Sequence, residues 1–362
     1  MPYFATFMAF WATLFLEFWK RKESTHAMMW GTSGFEAEEQ DRPQFEGVIT
    51  PSPITGKPHL YFSRGEKAKR ASYSMVVILA FIAAVIAVVG SIFYLKLVLS
   101  RIKSLAYAGT HLGGIIAALA NAIQIQVMNL IYGGVAIRLT DFENHRTDTA
   151  YEDSLIGKTF VFMFVNSFAA LFYIAFVKPF ITVDPCLGPC MSELQTNLGT
   201  IFLSRLALGS TLKVVIPSLM NYLNEQAQMK GDTIHPLTEA EKDYNLMEYH
   251  VMLGPFADYT EASIQYGYAT MFVAAYPLAA IMSFVNNYIE LRVDAWKLLQ
   301  QCRRPEPRSA EDIGTWQTIL HTVSIFALLI NSGLIAFTGD FARDYTWTTR
   351  AWIFFTTAAG IY

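Results

Sequence analysis

YSMVVILAFIAAVIAVVGSIFYL, residues 73–95, is a run of twenty-three residues without one charged side chain. A helix needs about 20 mostly apolar residues to cross the hydrocarbon core of a bilayer, so this run reads as a membrane span. Working outward, further apolar stretches occur at 1–19, 112–137, 159–177, 191–216, 258–276, 277–299 and 316–338, which makes about eight spans. Only helices and closed barrels satisfy their backbone polar groups in lipid, and segments of this length predict an all-α, polytopic transmembrane helical bundle. The first stretch carries Glu17 near its end and has neither a basic lead nor a small-residue cleavage site. It therefore reads as a membrane helix and not as a signal peptide.

Composition agrees. Of 362 residues, 53% are hydrophobic and only 16% charged, and the mean hydropathy is +0.31. Soluble domains carry roughly 25% charged residues, so a soluble enzyme is disfavoured. The net charge of −3 leaves no basic surface for nucleic acid. Three cysteines, Cys186, Cys190 and Cys302, supply neither a disulfide scaffold nor a four-ligand zinc pattern, and the seven histidines form no HExxH spacing. The loop at 20–70 opens with Lys20, Arg21 and Lys22 and closes with Lys67, Lys69 and Arg70, which marks it as cytoplasmic. On that count Cys186 falls outside and Cys302 inside, although Lys96, Arg101 and Lys103 pull the other way. Within the loop, residues 34–58, with Glu36, Glu38, Glu39, Asp41 and four prolines, read as a solvated linker. Both ends of the chain fall inside apolar runs, so the expectation is a fragment, with residues 1–362 forming one transmembrane domain.

Ionisable residues inside spans are costly and point to function. Asp258 and Glu261 are spaced i,i+3 and Glu290 and Asp294 i,i+4, so each pair lies on one helical face. With the turn at Pro277, Glu261 and Glu290 lie about 24 and 20 Å from it at 1.5 Å per residue, which sets both pairs at nearly the same depth. Carboxylates gathered at one depth repel unless a cation sits among them or some are protonated. Calcium takes about six to eight hard oxygen ligands, and Asn286 and Asn287 offer carbonyl oxygens beside Glu290. From spacing alone two readings stand: a cation site, or acids resting at helix ends in interfacial water.

At these residues a resemblance enters. FVNNYIELRVDAWKLLQQCRRP (284–305) closely resembles the NNxxExRxDAxK signature of the anoctamin family of calcium-activated chloride channels and phospholipid scramblases. FMAFWATLFLEFWKRK (7–22), the segment 139–180 from LTDFENHRTD to YIAFVKPF, FVAAYPLA (272–279) and DIGTWQTIL (312–320) resemble anoctamin sequence in the same order. The resemblance implies a ten-helix fold after a cytosolic N-terminal domain, a homodimer with a separate path in each subunit, and a groove formed here by about 71–276. By that comparison this chain holds the second to ninth helices. It also implies calcium as cofactor, with Asp258 and Glu261 matching the family's seventh-helix ligands and Glu290 and Asp294 its eighth-helix ligands.

One departure matters. The family's sixth helix usually supplies an Asn and, four residues later, a Glu just before an Ile-Pro; here Ile216-Pro217 is kept but those positions are Gly209 and Lys213. Lys213 either snorkels toward the inner interface or reaches the four carboxylates and partly replaces calcium. A single positive charge about 5 Å from a divalent ion costs roughly 6–7 kcal/mol at an effective dielectric near 20, so calcium is expected to be weakened or dispensable. Arg205, mid-span, either lines the groove and meets anions or head groups, or pairs with an acid such as Glu193. Cys186 and Cys190 either pair locally or with cysteines elsewhere.

The expectation is thus a multi-pass integral membrane protein of the plasma membrane or endoplasmic reticulum, not an enzyme. It would move chloride or other ions, phospholipids, or both, through a groove between helices, with membrane lipids and a second copy as partners. The alternative is a membrane tether or scaffold that has lost transport.

Overall fold

The computed structural model describes residues 2–52, 56–100, 106–107, 110–181, 186, 189–231, 238–342 and 344–361. Helices dominate: α1 (Pro2–Trp30), α2 (Arg64–Ser100), α3 (Leu112–Phe142), α4 (Asp148–Phe172), α5 (Cys190–Ser204), α6 (Ser210–Gly231), α7 (Glu239–Asn245), α8 (Leu253–Met271), α9 (Leu278–Trp296), α10 (Thr315–Gly333) and α11 (Trp347–Ile361). Single π turns extend α4 (Tyr173–Val177), α9 (Lys297–Gln301) and α10 (Leu334–Thr338), and a fourth (Arg205–Gly209) joins α5 to α6. Among the described residues, Arg64–Leu99, Ile115–Phe142, Asp148–Phe180 and Thr315–Thr338 are long and apolar enough to cross a membrane. The other apolar stretches are helical as well, with more polar side chains interleaved. The opposing charges Arg101 and Lys103 lie outside the described residues.

The chain divides into two compact units. One comprises Thr13–Cys186 and Ser309–Val323. Its core is built where α2, α3 and α4 pack: Tyr132 stacks on Phe162 at 3.9 Å between ring centroids, and Phe81 meets both edge-on. Leu155, Phe168 and Leu171 are buried alongside. Polar residues thread this apolar contact. Gln124 donates to Asn166 Oδ1 at 2.8 Å, and Asn166 donates to Asn129 Oδ1 at 2.8 Å and to the Ile125 carbonyl at 3.0 Å.

In the same unit, the segment expected to be a solvated linker is largely exposed and also folds into a clasp. Val48–Pro51 (β1) and Pro58–Tyr61 (β2) pair antiparallel, and Phe45 is buried. Its charges have specific partners at the corner between α3 and α4. Arg42 Nε meets Asp148 at 2.8 Å, Arg146 Nε meets Asp41 at 2.6 Å, the Thr149 amide donates to Glu39 at 3.0 Å, and Asn144 exchanges hydrogen bonds with the Glu46 backbone. Composition alone misses such contacts because the partners lie about a hundred residues away.

The other unit comprises Met1–Ala12, Leu187–Arg308 and Ser324–Tyr362. Leu194, Leu198, Phe202, Tyr268, Met271 and Phe272 form its buried centre. Pro277 opens α9, and the short break before it would leave backbone groups unpaired in hydrocarbon, a cost of several kcal/mol each. Two side chains fill that need: Asn331 Oδ1 accepts the Ala274 amide at 3.0 Å while its Nδ2 donates to the Thr270 carbonyl at 2.7 Å, and Gln195 donates to the Ala275 carbonyl at 2.7 Å.

Candidate functional site: an acidic cluster closed by a lysine

The helix spacing of Asp258, Glu261, Glu290 and Asp294 acquires its meaning in this second unit. α8 presents the first pair and α9 the second, antiparallel across the break at Pro277, and α6 packs against α9. Between them stands the Lys213 ammonium, 2.7 Å from Glu290 Oε1, 2.8 Å from Glu261 Oε2, 3.5 Å from Asp294 Oδ1 and 3.7 Å from Asp258 Oδ1. The Lys213 side chain is 18% exposed, so the contacts are partly shielded from water. Of the two readings of Lys213, the inward one is what the structure contains.

The neighbours differ in role. Asn286 donates from Nδ2 to Glu290 Oε2 at 3.2 Å and to Gln265 Oε1 at 2.7 Å, while Asn287 gives its oxygen to Gln265 Nε2 at 2.7 Å. Asn287 thus turns its carbonyl to Gln265 and away from the cluster, and Asn286 meets Glu290 as a donor. Gln265 is a residue the sequence reading passed over. It lies seven residues after Asp258 and four after Glu261, on the same face of α8, and a lone glutamine in an apolar stretch was the available signal. Gly209 closes the π turn, and a Cβ there would stand 3.5 Å from Glu261 Oε1, so α6 passes close over the cluster without a side chain at that level. Tyr249, in the loop before α8, was also missed; burial first, then the charges of Asp258 and Asp294, push its hydroxyl up to about 12.

Arg205, in the π turn, stacks its guanidinium over the Tyr268 ring at 5.1 Å, and its Nε has no hydrogen-bond partner among the described residues. It borders a cavity of about 120 Å³ shared with Phe202, Gln265, Met282 and Asn286. Glu193 belongs to the first turn of α5, about 18 Å away along the helix at 1.5 Å per residue, too far for the pairing considered from sequence. Cys186 and Cys190 are disulfide-bonded, and Cys302 is a free, buried thiol whose titration burial pushes up.

This arrangement does not fit a calcium ion. Calcium holds its oxygens at about 2.3–2.6 Å and takes several at once. Here each acid in the cluster faces the ammonium instead, and among the described residues no three His, Cys, Asp or Glu side chains gather as a metal shell. The donor chemistry is that of a calcium site; the position among the donors belongs to Lys213.

Comparison with known proteins agrees with the architecture. A family model described as "Anoctamin: Calcium-activated chloride channel" matches residues 1–361. Anoctamin-7 of Mus musculus is 34% identical over 374 residues, covering 96% of this chain and 43% of that protein. Anoctamin-4 of Mus musculus (34% identical, 94% of this chain, 38% of the relative) and Anoctamin-3 of Homo sapiens (34%, 95% and 38%) align similarly. The chain spans about two fifths of the length of these relatives. The family match over residues 1–361 and the four described helices long and apolar enough to cross a membrane lead to one conclusion: this chain is a membrane-embedded member of the anoctamin family.

Proposed function

We propose that this chain is the transmembrane part of a passive transporter that lowers the barrier for chloride or other anions, for phospholipid head groups, or for both. No bond is made or broken; polar groups placed at membrane depth replace part of the solvation a permeating ion or head group gives up. The observation that carries this reading is the polar content of the helices themselves. Asn121 is 3% exposed and among the described residues both its amide atoms lack a hydrogen-bond partner; it is close in sequence to Gln124 and Asn129, which join Asn166 in a hydrogen-bonded chain across α3 and α4. Polar residues at such depth are expensive, and a tether has no use for them. Arg205, whose Nε has no hydrogen-bond partner among the described residues and which borders a cavity, is the second polar element and suits an anion or a phosphate.

The acid cluster is, on this reading, the remnant of a divalent-cation site in which Lys213 has taken the place of a ligand. The full protein is proposed to act as a homodimer, as the family resemblance implies, in the plasma membrane or the endoplasmic reticulum. The deciding experiment is reconstitution of the full-length protein in liposomes, with anion flux and fluorescent-lipid scrambling measured with and without calcium. Activity above protein-free liposomes supports transport, and none in either assay leaves the tether reading in its place.

A further inference from the structure

We propose that Lys213 is a tethered cation that does permanently what a bound divalent ion does reversibly, so that α6 is held against α8 and α9 without calcium. The flux arm of this inference rests on the transport reading above, and the binding arm does not.

The geometry is specific. One nitrogen, carrying hydrogens in three directions, bridges Glu261 of α8 and Glu290 of α9 at 2.8 and 2.7 Å and draws Asp294 and Asp258 to 3.5 and 3.7 Å. The ammonium therefore links three helices, as a cation shared among their carboxylates would. Calcium entering here would need the same oxygens at about 2.3–2.6 Å, and the oxygens of Glu261 and Glu290 are already hydrogen-bonded to the ammonium. Being part of the chain, that ammonium never dilutes away, and a free ion competes with it at a disadvantage.

The rest of α6 fits a fixed strut. Eight residues beyond Lys213, Asn221 donates to both the carbonyl and the side-chain oxygen of Gln301 at 3.0 Å and accepts the Met247 amide at 2.9 Å. α6 is thus fastened at two levels to the far part of α9 and its π turn. Between the fastenings lies Pro217, which has no amide hydrogen to give the Lys213 carbonyl. The helix is weakest at this proline, and the two fastenings bracket it. One turn before Lys213, Gly209 supplies no side chain, so α6 meets the cluster through Lys213. Without that ammonium, four carboxylates from two helices would face one another and α6 would have nothing to bind; with it, the closed arrangement is the resting one.

The test uses the full-length protein, purified and reconstituted, in chelator and in millimolar calcium. Thermal midpoint is read in detergent, and flux and scrambling in liposomes. Wild type is expected to show the same midpoint and the same flux in both conditions. Lys213→Glu, which changes the local charge by two units, is expected to lose roughly tenfold in calcium-free flux, within the usual range of coupling between sites, and to regain midpoint and flux with calcium. Lys213→Arg keeps the cation and is expected to stay insensitive to calcium. If Lys213→Glu does not fold, Lys213→Met removes the charge at similar length and is expected to move the same way. A wild-type midpoint that rises with calcium as much as that of Lys213→Glu overturns the inference, and so does a folded Lys213→Glu or Lys213→Met with normal flux and no calcium response. Wild type without flux in any condition sinks the transport reading only, because the midpoints still decide whether Lys213 stands in for the ion.

Discussion

Glu143, just beyond the end of α3, offers the sharpest test of the energetics. Its carboxylate is 6% exposed and takes a hydrogen bond from Lys158 Nζ at 2.6 Å, from His145 Nε2 at 2.9 Å and from Ser154 Oγ at 3.0 Å. Burial alone would raise its pKa; the hydrogen bonds from His145, Lys158 and Ser74 and the charge of Lys158 outweigh burial and bring it from 4.5 down to about 2. A carboxylate depressed in the folded state contributes stability above its unfolded pKa and loses it as pH falls through the folded one. The contribution is therefore full above about pH 4.5 and fades toward pH 2. At 1.36 kcal/mol per pKa unit the shift corresponds to about 3 kcal/mol. Glu143→Gln keeps the size, removes the charge and leaves Lys158 buried without its counter-ion, a loss of the same order as breaking a buried ion pair, about 3–5 kcal/mol. For a chain longer than 250 residues each kcal/mol moves the midpoint by about 1–2 °C, so a fall of roughly 3–10 °C is expected. Detergent-solubilised wild type and Glu143→Gln should be melted side by side between neutral and acid pH, and the gap should narrow below pH 4.5. A gap under about 1 °C at neutral pH, or one that widens on acidification, refutes the assignment.

The other expectations are more local. Gly254→Ala is expected to destabilise by about 1–3 kcal/mol, because the new Cβ would collide with the Tyr249 ring; an unchanged midpoint would show that the ring swings aside freely. After mild reduction of intact cells, an impermeant thiol reagent is expected to label Cys186 and Cys190 and spare Cys302, given surface delivery, as the loop-charge rule places them. Labelling of Cys302 alone reverses the orientation. Arg205→Gln is expected to lower anion flux and the anion-to-cation permeability ratio by a few-fold, since it removes the positive charge beside the cavity, and an unchanged ratio takes Arg205 off the path.

Much of this protein was legible in its residues because a membrane makes local composition decisive. A run such as 73–95 has few other fates than a helix in lipid, and α2 forms there over Arg64–Ser100. The common depth of Glu261 and Glu290 also followed from arithmetic, since a helix rises by a constant 1.5 Å per residue and the break at Pro277 was visible. What composition did not show in the segment 34–58 was its anchoring: the segment is largely exposed, but Arg42, Asp41 and Glu39 meet Asp148, Arg146 and Thr149, and no local window contains those partners.

Sequence by itself therefore determined the solvent, the helical class, the acid pairs on their faces and the family. Tertiary structure decided what those acids hold. Lys213 and Glu290 are 77 residues apart, and nothing in the periodicity of either helix says whether the lysine turns to the interface or to the carboxylates. Packing settles it. With α6 laid over the cluster at Gly209 and fastened again at Asn221, the inward rotamer meets four carboxylate oxygens within 3.7 Å. Spacing is a one-dimensional property of each helix, whereas the identity of the cation among the acids depends on how three helices pack together.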